Sequence, residues 1–475
     1  MLASISALLL SFSGRPWGTP YLALFALVPT FYALSKERNL WVAGIVSYIT
    51  ALPIIVVGFE GLVVEAPTFF FLATLILSAW FFIPGAIAAW FTKGSYPAVP
   101  LWLFVLSWVA AETVAGSYVL WKNWAYPLNL GLAHVSPPLL SLAYWSGAST
   151  LSAAILAINL SLFLFLKRKR TVQACLVLLG VVMVSFATQV GLELSSSGHS
   201  TDKITVGVAQ GTVSEFEFIT ASFSALKQER IVERYSSLTN RLISEHPETD
   251  FVVWPEGAAG YYFNYFGSRP EKVSRVLPDD TPLIAGAYDG NLNGIFYWNT
   301  QDYGFVYHKE ALVPFFESFL TAGKRYTEEP IRYRDQKIGL GVCWESLYPE
   351  LSRQSVMMGA NLLLYLSDDT FAGKSVTPWH HAQSGAVRAV ESGRHVVFAS
   401  QSGPSVIFNP AGKMTPLLAH GERGYGVSEI SLSKATRMTP YYSLGNWFGW
   451  GCVALVGLLC LLELRVIKRL PSTRR

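Results

Sequence analysis

Charged residues are scarce in this sequence, which argues against a chain that is water-soluble throughout. Asp, Glu, Lys and Arg make up 14% of its 475 residues, whereas soluble domains average about 25%. Hydrophobic residues make up 51%, and the mean hydropathy is positive. The scarcity is uneven, because residues 200–445 carry many charges and contain no long apolar run. The composition therefore indicates membrane-spanning segments on both sides of one water-exposed domain.

Apolar runs predict eight membrane spans. A helix needs about 20 apolar residues to cross a hydrocarbon core of ~30 Å, and eight runs reach or approach that length: 2–12, 21–35, 40–58, 67–92, 99–118, 137–166, 172–192 and 446–464. The first run has no basic flank and no small-residue cleavage site, so we interpret it as a retained span. The predicted order is a membrane domain at 1–192, a domain at 200–440, a closing span at 446–464 and a basic tail at 465–475.

The distribution of Lys and Arg in the short loops predicts the orientation. If the N-terminus is cytoplasmic, Arg15 and Lys122 lie outside, and twelve basic residues lie inside. The inside set is Lys36, Arg38, Lys93, Lys167, Arg168, Lys169, Arg170, Arg465, Lys468, Arg469, Arg474 and Arg475. This bias predicts that the domain at 200–440 faces outward and that the C-terminus is cytoplasmic. The basic run at 167–170 then marks topology rather than a nucleic-acid site.

The chain has only four cysteines, and one of them stands apart. Cys175, Cys452 and Cys460 lie in predicted spans, where a thiol acts as a small apolar side chain. Cys343 is alone in the water-exposed domain, so it has no partner there for a disulfide. In an oxidising compartment a free thiol is a liability unless its reactivity is used. A buried, inert cysteine at the end of a strand is the alternative.

The domain at 200–440 shows the alternating pattern of an α/β fold. Short apolar runs predict strands at 204–211, 250–257, 281–290, 295–304, 338–344, 395–403 and 404–412, and helices are predicted at 223–246 and 379–393. Three reactive residues stand at or after such strands, namely Glu256, Lys309 and Cys343. Strand ends are where α/β folds place chemistry.

A carboxylate, an ammonium and a thiol suit acyl transfer through a thioester. Glu256 would take the proton of Cys343, and Lys309 with the backbone N–H after Cys343 would stabilise the oxyanion. A Cys-His pair is the competing arrangement, but the histidines of the domain show no recognisable partner pattern. They also lack the spacing of metal ligands, so neither a metal nor another cofactor is expected.

Longer motifs carry a family resemblance. The segments "VVWPEG", "YHKEALVPFFE" and "GLGVCWESLYP" resemble the nitrilase superfamily, whose fold is an αββα sandwich and whose triad is Glu-Lys-Cys. The placement of this domain between spans 7 and 8, together with the segments at 121–147 and 368–403, is similar to the apolipoprotein N-acyltransferase family. The resemblance covers nearly the whole chain.

The resemblance implies roles for six residues. Glu256 would be the general base, Lys309 the oxyanion stabiliser and Cys343 the nucleophile. Glu317 would hold the lysine, and Trp344 and Glu345 would flank the nucleophile. The implied reaction moves an acyl chain from a membrane phospholipid to Cys343 and then to the N-terminal amine of a diacylglyceryl cysteine on an apolipoprotein. The implied location is the bacterial inner membrane, with the domain on the periplasmic side.

Several positions depart from the family pattern. Phe316 replaces a glycine, Asp368 and Asp369 stand where Asn-Asp is usual, and Gln401 and Ser402 where Asn-Thr is common.

Glu112 matches a family glutamate without its usual basic neighbour; an acid inside a span indicates function, and a structural hydrogen bond is the alternative. A related acyltransferase or amidase with another amine acceptor, such as a conjugal-transfer accessory protein, remains open. An inactive scaffold or a transporter is disfavoured, because the triad is complete and no internal repeat is present.

Overall fold

The computed structural model describes residues 1–14, 20–93, 100–122, 125, 129–133, 138–168, 170–197, 200–263, 281–299, 303–314, 316–324, 330–433 and 438–469. The chain divides into two compact units. The helical unit comprises Met1–Trp121, Ala125–Val190 and Ser443–Arg475, and the central domain comprises Lys122–Trp124 and Gly191–Tyr442. Four basic residues used to predict the orientation lie outside the described ranges: Arg15, Lys169, Arg474 and Arg475.

The helical unit is built from apolar helices. Its α-helices are Leu2–Ser13, Ala23–Ala26, Val28–Leu34, Leu40–Phe59, Leu62–Glu65, Pro67–Ser78, Phe82–Lys93, Pro100–Ala115, Tyr118–Trp121, Leu130–Ala133, Ala143–Ser146, Ala148–Leu166, Thr171–Ser197 and Trp447–Arg469. Among the described residues, four helical stretches are long and apolar enough to cross a membrane: Pro67–Thr92, Ala148–Leu166, Thr171–Ser195 and Trp447–Val466. Shorter apolar helices coincide with the other four predicted spans, whose crossing stays a prediction.

Two buried polar side chains tie these helices together. Asn159 accepts a hydrogen bond from Leu27 N–H at 2.8 Å and donates one to Ala23 O at 2.8 Å. Glu112 accepts hydrogen bonds from Trp108 Nε1 and from Leu130 N–H, both at 2.8 Å. Buried polar groups need such partners, so Glu112 makes the structural bonds that the sequence left as one alternative.

The central domain contains two six-stranded sheets. The first has the order β12-β1-β2-β3-β4-β5 and the second the order β11-β10-β9-β8-β7-β6. The strands are β1 Ser200–Gln210, β2 Phe251–Trp254, β3 Leu283–Asp289, β4 Leu292–Trp298, β5 Tyr303–His308, β6 Ile331–Tyr333, β7 Gln336–Val342, β8 Leu362–Ser367, β9 His395–Ser400, β10 Ser405–Phe408, β11 Met414–Leu418 and β12 Gly424–Ser433. The main helices are α1 Glu215–Ser222, α2 Ala225–Glu245, α3 Pro349–Met357 and α4 Thr377–Ser392.

Strand alternation separates the two faces of the first sheet. Phe251 and Val253 of β2 belong to the core shared with the second sheet, whereas Val252 and Trp254 pack in the core under α2. This is the period of two that a strand imposes on its side chains. Helices α3 and α4 pack on strands of the second sheet. The expected αββα sandwich is therefore confirmed.

Most predicted elements lie within a few residues of their observed positions. This holds for strands β1, β2, β3 and β7 and for helices α2 and α4. The predicted strand at 295–304 is wrong as a single element. It combines the end of β4 at Trp298 with the start of β5 at Tyr303. Strands β4 and β5 are antiparallel neighbours in the first sheet. Apolar residues therefore occur on both sides of their connection, and the sequence alone does not show the break.

Candidate active site

Glu256 is placed by the buried end of β2. The strand finishes at Trp254, and Pro255 leads directly to Glu256, whose exposed fraction is 4%. Gly286 of the neighbouring strand β3 makes this close approach possible. A Cβ on Gly286 would lie 2.3 Å from the carbonyl oxygen of Pro255 and 2.4 Å from Cα of Glu256. Glycine at this position therefore lets the strand end that carries Glu256 lie against β3.

Three donors fix the carboxylate of Glu256. Oε1 accepts hydrogen bonds from Asn293 Nδ2 at 2.7 Å and from Lys309 Nζ at 3.3 Å. Oε2 accepts one from the backbone N–H of Asp368 at 2.7 Å. The contacts come from both sheets, since Asn293 lies on β4 and Asp368 follows β8. Glu256 is consequently held in one orientation before any substrate binds.

Lys309 follows β5 and is 1% exposed. Its Nζ donates to Glu317 Oε1 at 2.8 Å as well as to Glu256. The other oxygen of Glu317 accepts the backbone N–H of Val313 at 2.6 Å. Burial by itself opposes the charge on Lys309, but the two carboxylates outweigh it and hold the pKa of Lys309 well above its ordinary value. The site thus contains a permanent buried cation.

Cys343 comes directly after β7, and its backbone is in the left-handed region with φ of 53°. This conformation is uncommon for a residue with a Cβ and costs roughly 1–3 kcal/mol. Burial raises the pKa of the Cys343 thiol well above its ordinary value, and the charge of Glu256 adds to the rise while Lys309 opposes it. The resting thiol is therefore neutral near pH 7 and needs a base in order to react.

Trp344 follows Cys343 in the turn Cys343–Leu347. The Trp344 ring packs against the core between the sheets, and its Nε1 donates to Tyr348 Oη at 3.0 Å. The carboxylate of Glu345 is fully buried and accepts four hydrogen bonds. These come from the backbone N–H groups of Val342, Glu310 and Ala311 and from the Tyr307 hydroxyl, at 2.6–3.0 Å. Glu345 therefore joins the end of β7 to the segment after Lys309.

The fold brings the residues predicted from the sequence to one place. Glu256, Lys309 and Glu317 form one hydrogen-bonded group, and the charges of all three act on the Cys343 thiol. Sequence reasoning missed Asn293, which donates to Glu256 and, at 3.4 Å, to Glu317. No signal in the sequence marks it, because an Asn on a strand next to Gly294 is equally typical of a turn.

Three of the departing positions also lie near this group. The backbone of Asp368 binds Glu256, and its side chain accepts the N–H of Thr370 at 2.9 Å. The side chain of Gln401 accepts a hydrogen bond from the Tyr235 hydroxyl. Phe316, beside Glu317, is 37% exposed. The changes therefore surround the charged group without removing a member of it.

The arrangement can carry out acyl transfer. A neutral thiol lies in the field of a carboxylate that can accept its proton and of a cation that can stabilise an oxyanion. All of these groups are shielded from water, where such interactions are stronger than at a surface. The buried group thus combines the residue types that acyl transfer through a thioester requires.

Comparisons with known proteins find similarity to hydrolases and to acyltransferases. Residues 205–439 match the carbon-nitrogen hydrolase family. An apolipoprotein N-acyltransferase from Geobacter metallireducens is 27% identical over 364 residues, covering 69% of this chain and 68% of that protein. One from Bdellovibrio bacteriovorus is 24% identical over 512 residues, covering 96% and 92%. A carbon-nitrogen hydrolase structure from Helicobacter pylori superposes with a TM-score of 0.39 at 20% identity, over 48% of this chain and 90% of that one. The chain thus matches the carbon-nitrogen hydrolase family over residues 205–439 and is similar to an apolipoprotein N-acyltransferase over 96% of its length.

Proposed function

We propose that this protein is a membrane-bound N-acyltransferase of lipoprotein maturation. It transfers a fatty acyl chain from a phospholipid to the N-terminal amine of a diacylglyceryl cysteine on an apolipoprotein. The observation that carries the proposal is the similarity to an apolipoprotein N-acyltransferase over 96% of the chain, which includes the helical unit as well as the central domain. A soluble amidase of the same family would need no such helices.

Glu256, Lys309 and Cys343 are the proposed catalytic residues. In the first half-reaction Glu256 takes the thiol proton, and Sγ of Cys343 attacks the ester carbonyl of the phospholipid. Lys309 stabilises the oxyanion of the tetrahedral intermediate. The ester C–O bond then breaks, and the lysophospholipid leaves with the proton from Glu256. The acyl chain remains on Cys343 as a thioester.

The second half-reaction uses the same groups in reverse. The lipoprotein amine attacks the thioester carbonyl, and Lys309 again stabilises the oxyanion. Glu256 accepts the amine proton and returns it to the sulfur as the C–S bond breaks. The products are an amide and a free Cys343. Glu317 supports both steps, because its 2.8 Å bond to Nζ keeps the ammonium in place.

Intact mass spectrometry tests the first half-reaction. Purified protein mixed with phospholipid should gain the mass of one acyl chain, and Cys343→Ser should not, because an alkoxide forms far less readily than a thiolate. Cys175→Ser is the matched control, since it removes a cysteine of the helical unit and should leave the adduct unchanged. An adduct that persists in Cys343→Ser would show that the nucleophile lies elsewhere.

The acceptor is tested in a second step. The acylated protein is mixed with a diacylglyceryl-cysteine peptide, and in a parallel reaction with a peptide that begins with an unmodified residue. Transfer to the first peptide alone supports lipoprotein maturation. Transfer to the unlipidated peptide as well would indicate an acyltransferase with another amine acceptor.

A further inference from the structure

One face of helix α4 is polar although it is buried. His381, Ser384 and Arg388 are spaced at i, i+3 and i+7, so they lie on the same side of the helix. Their exposed fractions are 7%, 0% and 1%. The steps of acyl transfer described above use none of the three. A buried polar face of this kind is costly unless its groups are paired, so its contacts indicate what it is for.

The face contacts the turn that contains the nucleophile. Ser384 Oγ donates to Ser346 Oγ at 2.7 Å. Arg388 Nη1 donates to the carbonyl oxygens of Ser346 and Leu347, each at 3.3 Å. Helix α4 packs on the turn Cys343–Leu347. Ser384 and Arg388, one helical turn apart, thus hold the end of the turn that begins at Cys343.

Two buried acids fix the ends of this face. Asp369 is fully buried, and its Oδ1 lies 2.7 Å from His381 Nδ1. At the other end Arg388 donates to Glu391 Oε1 at 2.9 Å. Burial opposes the charge on His381, but Asp369 outweighs it and raises the pKa of the ring. His381 and Arg388 are therefore each paired with an acid inside the protein, as buried polar groups must be.

The segment after β8 also contacts the base. Asp369 is held by the hydroxyls of Ser400 at 2.7 Å and Ser367 at 3.0 Å, while the preceding backbone N–H, of Asp368, binds Glu256 at 2.7 Å. Adjacent residues therefore bind Glu256 and the His381 ring at the start of the polar face. This arrangement links the proposed base to the face that holds the turn of Cys343.

The backbone of Cys343 needs such support. Its φ of 53° is a strained conformation that persists only where surrounding contacts impose it. We propose that the polar face of α4, with His381 paired to Asp369, positions Cys343 relative to Glu256 and Lys309. Ser384 and Arg388 are positioning residues: they act on the reaction through the turn that begins at Cys343, and His381 supports them by pairing the start of the face with Asp369. This inference rests on the proposed acyl transfer.

Two variants and one matched control test it. His381→Gln removes the ring that pairs with Asp369, and Ser384→Ala is a milder change that removes one neutral contact with the turn. Ser392→Ala is the control, because Ser392 is an equally buried serine of α4. Its hydroxyl donates to a carbonyl of its own helix and accepts the backbone N–H of Arg394. Three quantities are measured: the single-turnover rate of thioester formation, the rate at which iodoacetamide alkylates the Cys343 peptide, and the unfolding temperature.

Positioning predicts that thioester formation and alkylation respond differently. A shift of about 1 Å can cost on the order of 100-fold in rate, so His381→Gln should slow acylation by roughly 10- to 100-fold and Ser384→Ala by less. Alkylation should slow less than acylation, because the small reagent needs the thiolate that Glu256 helps to form but no alignment with Lys309. Ser392→Ala should match wild type in both rates.

Other outcomes separate the explanations. If His381→Gln does not fold, acylation that slows more than alkylation in Ser384→Ala still supports the inference. Acylation at the wild-type rate in both variants would overturn it, and so would equal losses of acylation and alkylation, which would mean altered thiol acidity. Faster alkylation together with a lowered unfolding temperature would also overturn it, because that indicates loosened structure. Wild-type protein that forms no thioester would instead refute the proposed function, and the inference with it.

Discussion

The charges around Cys343 determine what Glu256 and Lys309 each contribute. Lys309 is shared by Glu256 and Glu317, so the group carries one cation against two carboxylates. Such a group does not favour a resting thiolate, and the pKa of Cys343 is raised accordingly. The enzyme would then form the thiolate only during the reaction, when Glu256 accepts the proton. This also limits side reactions of the thiol, because the neutral form is a poor nucleophile.

Glu256→Gln and Lys309→Met should show different pH profiles of acylation. The first removes the base and should slow single-turnover acylation by roughly 10²- to 10⁴-fold. It also removes a negative charge that raises the pKa of Cys343, so the thiolate forms more readily as the pH increases. The defect relative to wild type should therefore shrink between pH 6.5 and 9.5.

Lys309→Met removes oxyanion stabilisation worth about 3–4 kcal/mol in a comparable site. Higher pH cannot replace it, and losing the cation raises the thiol pKa further, since Lys309 is the group that lowers it. Its defect should persist across the range. Equal recovery in both variants, each compared with wild type at the same pH, would contradict these roles.

For individual residues, the sequence indicates candidate reactive side chains better than it indicates the side chains that hydrogen-bond to them. Glu256 and Cys343 could be predicted because each follows an apolar strand. Asn293 and the pair of Asp369 with His381 could not, because folding alone brings these residues to their partners. His381 pairs with a residue twelve positions away across a turn and helix start, with no fixed spacing to reveal it.

Among the elements, the central strands could be predicted and several others could not. Strand β8 is buried at every position, and an apolar run of six residues has no periodicity that separates a strand from a helix. Strand β6 has three residues and lies at a sheet edge, where length and hydrophobicity both fail as signals. Strand β12 pairs with β1 from the far end of the domain, and that pairing depends on tertiary contacts rather than on local sequence.

Gly286→Ala tests how strand packing places the base. The new Cβ would overlap the backbone at Pro255 and Glu256, so the end of β2 must shift. We expect a loss of about 1–3 kcal/mol in the free energy of unfolding, as for other overpacked sites, and acylation slower by at least about tenfold. Gly304→Ala is the matched control: Gly304 lies on β5 of the same sheet, and a Cβ there meets nothing within 4 Å. Chemical denaturation and single-turnover acylation measure both effects, and identical behaviour of the two variants would refute the close-packing explanation.

For the whole molecule, the basic residues of the short loops predict that the central domain is exported. Alkaline phosphatase fused after Gly260 should be active, because it folds only outside the cytoplasm, and a fusion at the C-terminal tail should be inactive. A cytoplasmic reporter such as green fluorescent protein should give the reverse pattern at the same two positions. An inactive phosphatase at 260 would contradict the predicted orientation.

The pairing of β1 with β12 has a consequence for biogenesis. The two strands join Ser200–Gln210 to Gly424–Ser433 in one antiparallel ladder, so the first sheet keeps an open edge until almost the entire domain has been synthesised. Contacts this distant along the chain slow folding, and an unpaired edge invites association with other chains. In the predicted orientation, β1 therefore lacks this partner on the outer side until β12 has crossed the membrane. We expect the nascent domain to depend on chaperones on the side where it emerges, and to become protease-resistant only after β12 has been translocated.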